Sequence, residues 1–247
     1  MLRTLESILG YRLVALNGEI GKVHDFYLDE EFWRLRYLVV ETGSWLDRRR
    51  VLIAPAALGS IEGERREFAV HLNRDQVQSS PDVNTDQPVS RQQEMRTNAH
   101  YGWPAYWAPD AIMIPGPILT SGRVARASAD PHLRSFREIC SYTVDDGENA
   151  IAKVQDFVID DSDWSVAMMI VAYGGWIDPR QVATPADRIT NISWANRTIT
   201  IRYSREQLEA LPSFEAAAPV NKQERTVYFD YHGRIVASTD PPAQPHE

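Results

Sequence analysis

Cysteine is almost absent from this chain. Cys140 is the only one in 247 residues, which excludes an intrachain disulfide and any cysteine-rich zinc site. Long apolar runs are missing too, so no segment has the length needed to span a bilayer as a helix. Positive charge is in deficit: 26 basic residues stand against 34 acidic ones, a formal charge of −8. That balance disfavours nonspecific nucleic-acid binding. Signatures of common chemistry are missing as well. There is no GxGxxG, no P-loop, no βαβ spacing and no G-x-S-x-G elbow, and no two of the six histidines stand at a metal-binding spacing such as HxxxH. The repeat described next begins at Leu2, leaving no room for a secretory leader, so the expected compartment is the cytoplasm.

What the chain does contain is itself, twice. LRTLESI at 2–8 returns as LRSFREI at 133–139, GKVHDFYLDE at 21–30 as AKVQDFVIDD at 152–161, and GSWLDRR at 43–49 as GGWIDPR at 174–180. The offset is 131 residues in every case, which implies two copies of one structural unit. The expected organisation is a first unit at 1–81, a linker with an aromatic arm at 82–131, a second unit at 132–212, and a C-terminal arm and tail at 213–247.

Each copy opens on a short amphipathic turn with Thr4 or Ser135 as a plausible N-cap. Strands follow at 20–29 and 151–160. The next strand places Trp33, Leu35, Tyr37 and Val39, or Trp164, Val166, Met168 and Ile170, on one buried face by the period of two. Its other face ends apolar in both copies, at Leu38 and Val40 and at Met169 and Val171, which predicts a strand covered on both sides. A short strand, Val51-Leu52-Ile53, ends at Pro55; its counterpart, Val182-Ala183-Thr184, reads as shorter and weaker. An alternating strand around Phe68 and Ile199 precedes a closing helical turn at 74–77 and 205–208. Short strands, few helices and regular turns predict a mainly β fold of two tandem small antiparallel barrels.

These residues resemble the PRC-barrel family, the fold of the cytoplasmic domain of the photosynthetic reaction-centre H subunit and of the C-terminal domain of the ribosome maturation factor RimM. The resemblance rests on G-x-V-x-D-x-x-x-D, present as Gly21, Val23, Asp25 and Asp29, and as Ala152, Val154, Asp156 and Asp160 with a departure at the first position. It also rests on the linker DVNTDQPVSRQQE at 82–94 and the aromatic run HYGWPAYW at 100–107. The resemblance implies a small β-barrel used for docking, with no shared catalytic residue.

Several residues have two readings. Asp25 and Asp156 have a functional reading as general base or metal ligand, but their recurrence in both copies favours a structural role accepting backbone N–H bonds. Asp160, Asp161 and Asp163 read as a solvated hairpin tip rather than a calcium loop. Cys140 reads as a small buried hydrophobe rather than a nucleophile. Arg48-Arg49-Arg50 and Arg65-Arg66 make a basic stretch that neighbouring acids offset. Trp45 and Asp47 with Arg49, and Trp176 and Asp178 with Arg180, are candidate partner-binding residues, because loop tryptophans often anchor interfaces. Tyr101, Trp103, Tyr106 and Trp107 form the densest aromatic run, stiffened by prolines. They either meet a partner or lie over the Leu38/Val40 and Met169/Val171 patches and join the units.

The leading expectation is a non-enzymatic adaptor that binds a protein partner or a second copy of itself, with no cofactor. The alternatives are a small-ligand or catalytic site in the cleft between the repeats, marked by His24, Arg34, Arg36, Arg48 and the aromatic run, and a peripheral membrane role by analogy with the reaction-centre subunit.

Overall fold

A computed structural model of the chain describes residues 1–43, 49–83, 93–106, 133–175 and 179–214, and the backbone alone of 91–92, 227–229 and 235–238. In chain order the first elements are β1 (Leu2–Thr4), α1 (Leu5–Ile8), β2 (Arg12–Ala15), β3 (Gly18–Asp29), β4 (Arg34–Thr42) and β5 (Arg49–Ile53). They are followed by β6 (Leu58–Glu62), β7 (Glu67–Val70), α2 (Arg74–Gln78) and α3 (Arg91–Tyr101). The remainder comprises β8 (Leu133–Ser135), α4 (Phe136–Ile139), β9 (Thr143–Asp145), β10 (Ala150–Asp160), β11 (Ser165–Gly174), β12 (Pro179–Pro185), β13 (Ile189–Ser193), β14 (Thr198–Ile201), α5 (Arg205–Glu209), β15 (Val227–Phe229) and β16 (Ile235–Ser238). The fold is mainly β, as expected.

The chain divides into two compact units, residues 8–137 and residues 1–7 with 138–247. These boundaries differ from the expected 1–81 and 132–212. The opening segment of each repeat has moved to the unit built by the other.

In the 8–137 unit the strands run β6-β7-β2-β3-β4-β5, an open order rather than a closed ring. Every pairing is antiparallel except β2 with β7. The long strand β3 pairs with β2 over its first half and with β8 over its last three residues. The other unit runs β13-β14-β9-β10-β11-β12, again with one parallel pair, and its long strand β10 receives β1 at the matching place.

Register is reproduced at the 131-residue offset. An extra residue bulges from β3 at His24 and from β10 at Gln155, and another from β4 at Arg36 and from β11 at Ala167. A bulge turns two successive side chains to one side and resets the alternation. Trp33, Leu35, Tyr37 and Val39 therefore do not share a face as the period of two predicts. Past the bulge, Tyr37 and Val39 join Tyr27, Leu52, Val83 and Leu133 in one apolar cluster. Leu38 and Val40, buried completely, alternate with them and face the other way. Val158, Met168 and Ile170 form the corresponding cluster in the other unit, with Ala183 and Phe214 against it. Both residues of each equivalent turn pair, Trp33 and Trp164 or Arg66 and Arg197, hold positive φ of 49–62°. A non-glycine side chain is strained there, so its recurrence reflects the turn each hairpin demands.

Two strand expectations need correction. β12 is longer than β5, with seven ladder pairs to β11 against five between β4 and β5. Its partners Tyr173 and Gly174 continue the edge that Pro179 opens, which a reading confined to 182–184 misses. At Gly21, a Cβ would stand 2.1 Å from the Glu41 carbonyl oxygen. The missing side chain lets Gly21 pair with Thr42, whereas the β10–β11 ladder, with Ala152 at that position, starts one residue later at Lys153.

Candidate functional site

The two buried carboxylates of the G-x-V-x-D motif lie where the exchanged segments dock. Asp25 is 3% exposed and accepts from the Phe26 amide at 2.8 Å, the Ser135 hydroxyl at 2.5 Å and the Arg137 amide at 3.2 Å. Asp156 accepts from the Phe157 amide at 2.7 Å and from the Glu6 amide at 3.1 and 3.3 Å. Each aspartate thus holds the first turn of a four-residue helix that is too short to stand alone. The expected local caps, Thr4 and Ser135, are replaced in this role by a carboxylate from a distant strand. Burial raises the pKa of both acids. Amides and the Ser135 hydroxyl oppose the rise at Asp25; at Asp156 burial prevails and the carboxyl is pushed up to about 6.

A second polar site underlies α3. Residues 91–101, which the sequence reading places in the linker, form this eleven-residue helix. Among its described side chains the buried ones are Glu94, Thr97 and Asn98, which stand one turn apart on a single face. The Tyr37 hydroxyl donates to Asn98 Oδ1 at 3.2 Å and the Tyr106 hydroxyl to Glu94 Oε2 at 2.9 Å. Burial first, then the Glu94 charge, raises the Tyr37 phenol above its ordinary pKa. Arg36 lies 4.0 Å from the centre of the Tyr106 ring and donates to Asp29 at 2.8 Å. That interaction is a cation–π contact backed by an ion pair.

The structure separates the candidate residues by role. Arg49 donates through both terminal nitrogens to the Gln78 and Ser80 carbonyls, and Arg180 donates to the Ser213 hydroxyl and the Leu211 carbonyl. Both arginines fasten the chain that leaves the core. Tyr101 stacks on Trp103 with centroids 4.2 Å apart and also feels the Arg49 charge, so these three lie together. Burial raises the Tyr101 phenol. Tyr106 packs on the Tyr27/Tyr37/Val39/Leu52 cluster. The arm therefore covers the face opposite the expected Leu38/Val40 patch, because the bulge at Arg36 exchanges the two faces. Trp45, Asp47, Trp107, Trp176 and Asp178, with Arg48, lie outside the described residues.

Asp29 is the counterpart of Asp160 in the other unit. It is buried, accepts from the Glu31 and Phe32 amides and binds Arg36. Cys140 is half-buried and donates to the Gln155 carbonyl. Among the described residues no group of three or more His, Cys, Asp or Glu could hold a metal ion, and no helix is long and apolar enough to cross a membrane.

No protein-family model matches the chain. It is similar to an uncharacterised protein of Deinococcus radiodurans, 29% identical over an alignment of 118 positions that covers 43% of this chain and 42% of that protein. The chain thus matches less than half the length of that relative.

Proposed function

We propose that the chain is a non-catalytic docking module made of two PRC-barrel units, which works by holding another protein. The observation that carries this reading is the fate of Asp25 and Asp156. They are the buried acids best placed for proton transfer, and their oxygens are engaged by main-chain amides and a serine hydroxyl of the chain itself. A general base must also reach a substrate proton, and these two carboxylates are only 3% and 4% exposed. Matching ladders and bulges in the two units support a duplicated barrel-type scaffold, and the G-x-V-x-D motif supports the family. In this reading the Trp45 and Trp176 loops supply the anchors.

The test compares wild type with the Trp45→Ala/Trp176→Ala variant, both checked for the same fold by near-UV circular dichroism. A protein captured from native lysate is purified and rebound to each. The expected result is a complex with wild type and none with the variant. Substrate turnover lost on Asp25→Asn at unchanged stability would sink the reading.

A further inference from the structure

The two docking positions for the exchanged segments are one device built twice. Leu2–Thr4 adds to β10 as an antiparallel strand, pairing Leu2 with Asp160 and Thr4 with Val158. Leu133–Ser135 adds to β3 in the same register, pairing Leu133 with Asp29 and Ser135 with Tyr27. Arg3 donates to Asp161 at 2.7 Å, and Arg134 to Glu30 at 2.7 and 3.0 Å. Asp156 receives the Glu6 amide and Asp25 the Arg137 amide. Every one of these residues has its counterpart 131 positions away. A fit reproduced at strand, arginine and helix turn selects a peptide of the form Leu-Arg-(Ser/Thr)-(Leu/Phe). Main-chain pairing gives such a slot its affinity, and the side-chain fittings give it selectivity.

The chain therefore carries two slots and two segments that match them, and each slot already holds a segment from outside its own repeat. Nothing in the contacts distinguishes a segment of the same chain from that of a second copy. We propose that the β10 slot is a strand-exchange site whose occupant in trans is the 2–7 segment of a second copy of this chain, so that two chains trade these segments reciprocally. The bonds are the same in both forms, as in domain swapping generally. What favours the single chain is the local concentration of its own segment, which reaches the order of millimolar where the connecting chain spans the sites. Breaking the fit within one chain while preserving it between chains removes that advantage.

Charge reversal does this. In an Arg3→Asp chain the segment and slot repel, and in an Asp161→Arg chain they repel with the opposite sign. Mixed, each slot meets a segment of opposite charge. Native mass spectrometry is expected to show a one-to-one complex in the mixture, roughly tenfold more abundant than dimers of either chain alone. The Arg3→Asp/Asp161→Arg double variant is expected to return to the single-chain form. A mixture without complex, when both chains keep the wild-type circular dichroism, overturns the proposal. Where a reversed chain fails to fold, wild type decides. Unlabelled and nitrogen-15-labelled protein, held together at about 1 mM, the scale of the tether advantage, should yield mixed-mass dimers, and their absence overturns it equally. Neither result bears on the tryptophan loops, so this test and that of the docking reading fail separately.

Discussion

Replacing Asp25 discriminates between a clip and a catalytic acid. Asp25→Ala removes the acceptor of three hydrogen bonds at once. Phe26 is fully buried, so its amide loses its partner with no water to replace it, at about 1–3 kcal/mol. Arg137 is exposed and Ser135 half-buried, so their donors find solvent and each loses about 1 kcal/mol. Relief of the buried charge returns part of this, leaving a net loss of about 2–4 kcal/mol. Asp25→Asn keeps Oδ1 for the two amides and offers an N–H to the Ser135 oxygen, without a buried charge. Its cost is about 0–1.5 kcal/mol. Urea unfolding at pH 7 measures both. Hydrogen exchange at the Arg137 amide reports the clip itself and should quicken by roughly 100-fold in the alanine variant alone. Equal losses in the two variants, or an Arg137 amide unaffected by alanine, would refute the clip.

The remaining expectations concern pH and packing. The Asp156 pKa of about 6 lies above its unfolded value, so the native state holds the extra proton. Its stabilising contribution is full below about pH 4, is lost as pH rises through 6, and is bounded by about 3 kcal/mol. Unfolding at pH 4 and pH 7 should show that difference in wild type and lose it in Asp156→Asn, while a carboxyl NMR midpoint below 4 would contradict it. Arg49→Met frees the Gln78 and Ser80 carbonyls and should cost about 1–2 kcal/mol; Arg49→Lys should not restore the loss, since one ammonium lacks the two-pronged reach. Gly21→Ala drives a Cβ into the Glu41 carbonyl and should remove the Gly21–Thr42 pair at a cost of about 1–3 kcal/mol, read by exchange at the strand end. Tyr106→Phe takes a hydroxyl from buried Glu94 and should destabilise α3 by about 1–2 kcal/mol, measured by exchange at 93–101.

The strands were legible because they rest on short-range periodicity, checked by comparing one half of the chain with the other. The errors lie in features set by more than one element together. The residue that bulges at Arg36 is invisible in β4 alone, since it exists only relative to β3, yet it decides which of Tyr37 and Leu38 meets the arm. Helix α3 was hidden for a related reason. Its buried side is Glu94, Thr97 and Asn98, so no apolar stripe marks it, and its face is matched instead by the Tyr37 and Tyr106 hydroxyls. The arginine fasteners were read as candidate partner contacts because their acceptors are carbonyls some thirty residues away.

The exchanged segments show the same limit and also its remedy. The first segment, Leu2–Glu6, looks like the start of its own repeat, and periodicity assigns it there. What moves it is Asp156, whose carboxylate needs donors that its own strand supplies only once, through the Phe157 amide. A buried acid of this kind obliges the fold to bring another chain segment to it. Its recurrence as Asp25 pointed to a structural demand, and in the strand-exchange proposal a demand met by an exchanged segment is also a site for which a second copy competes.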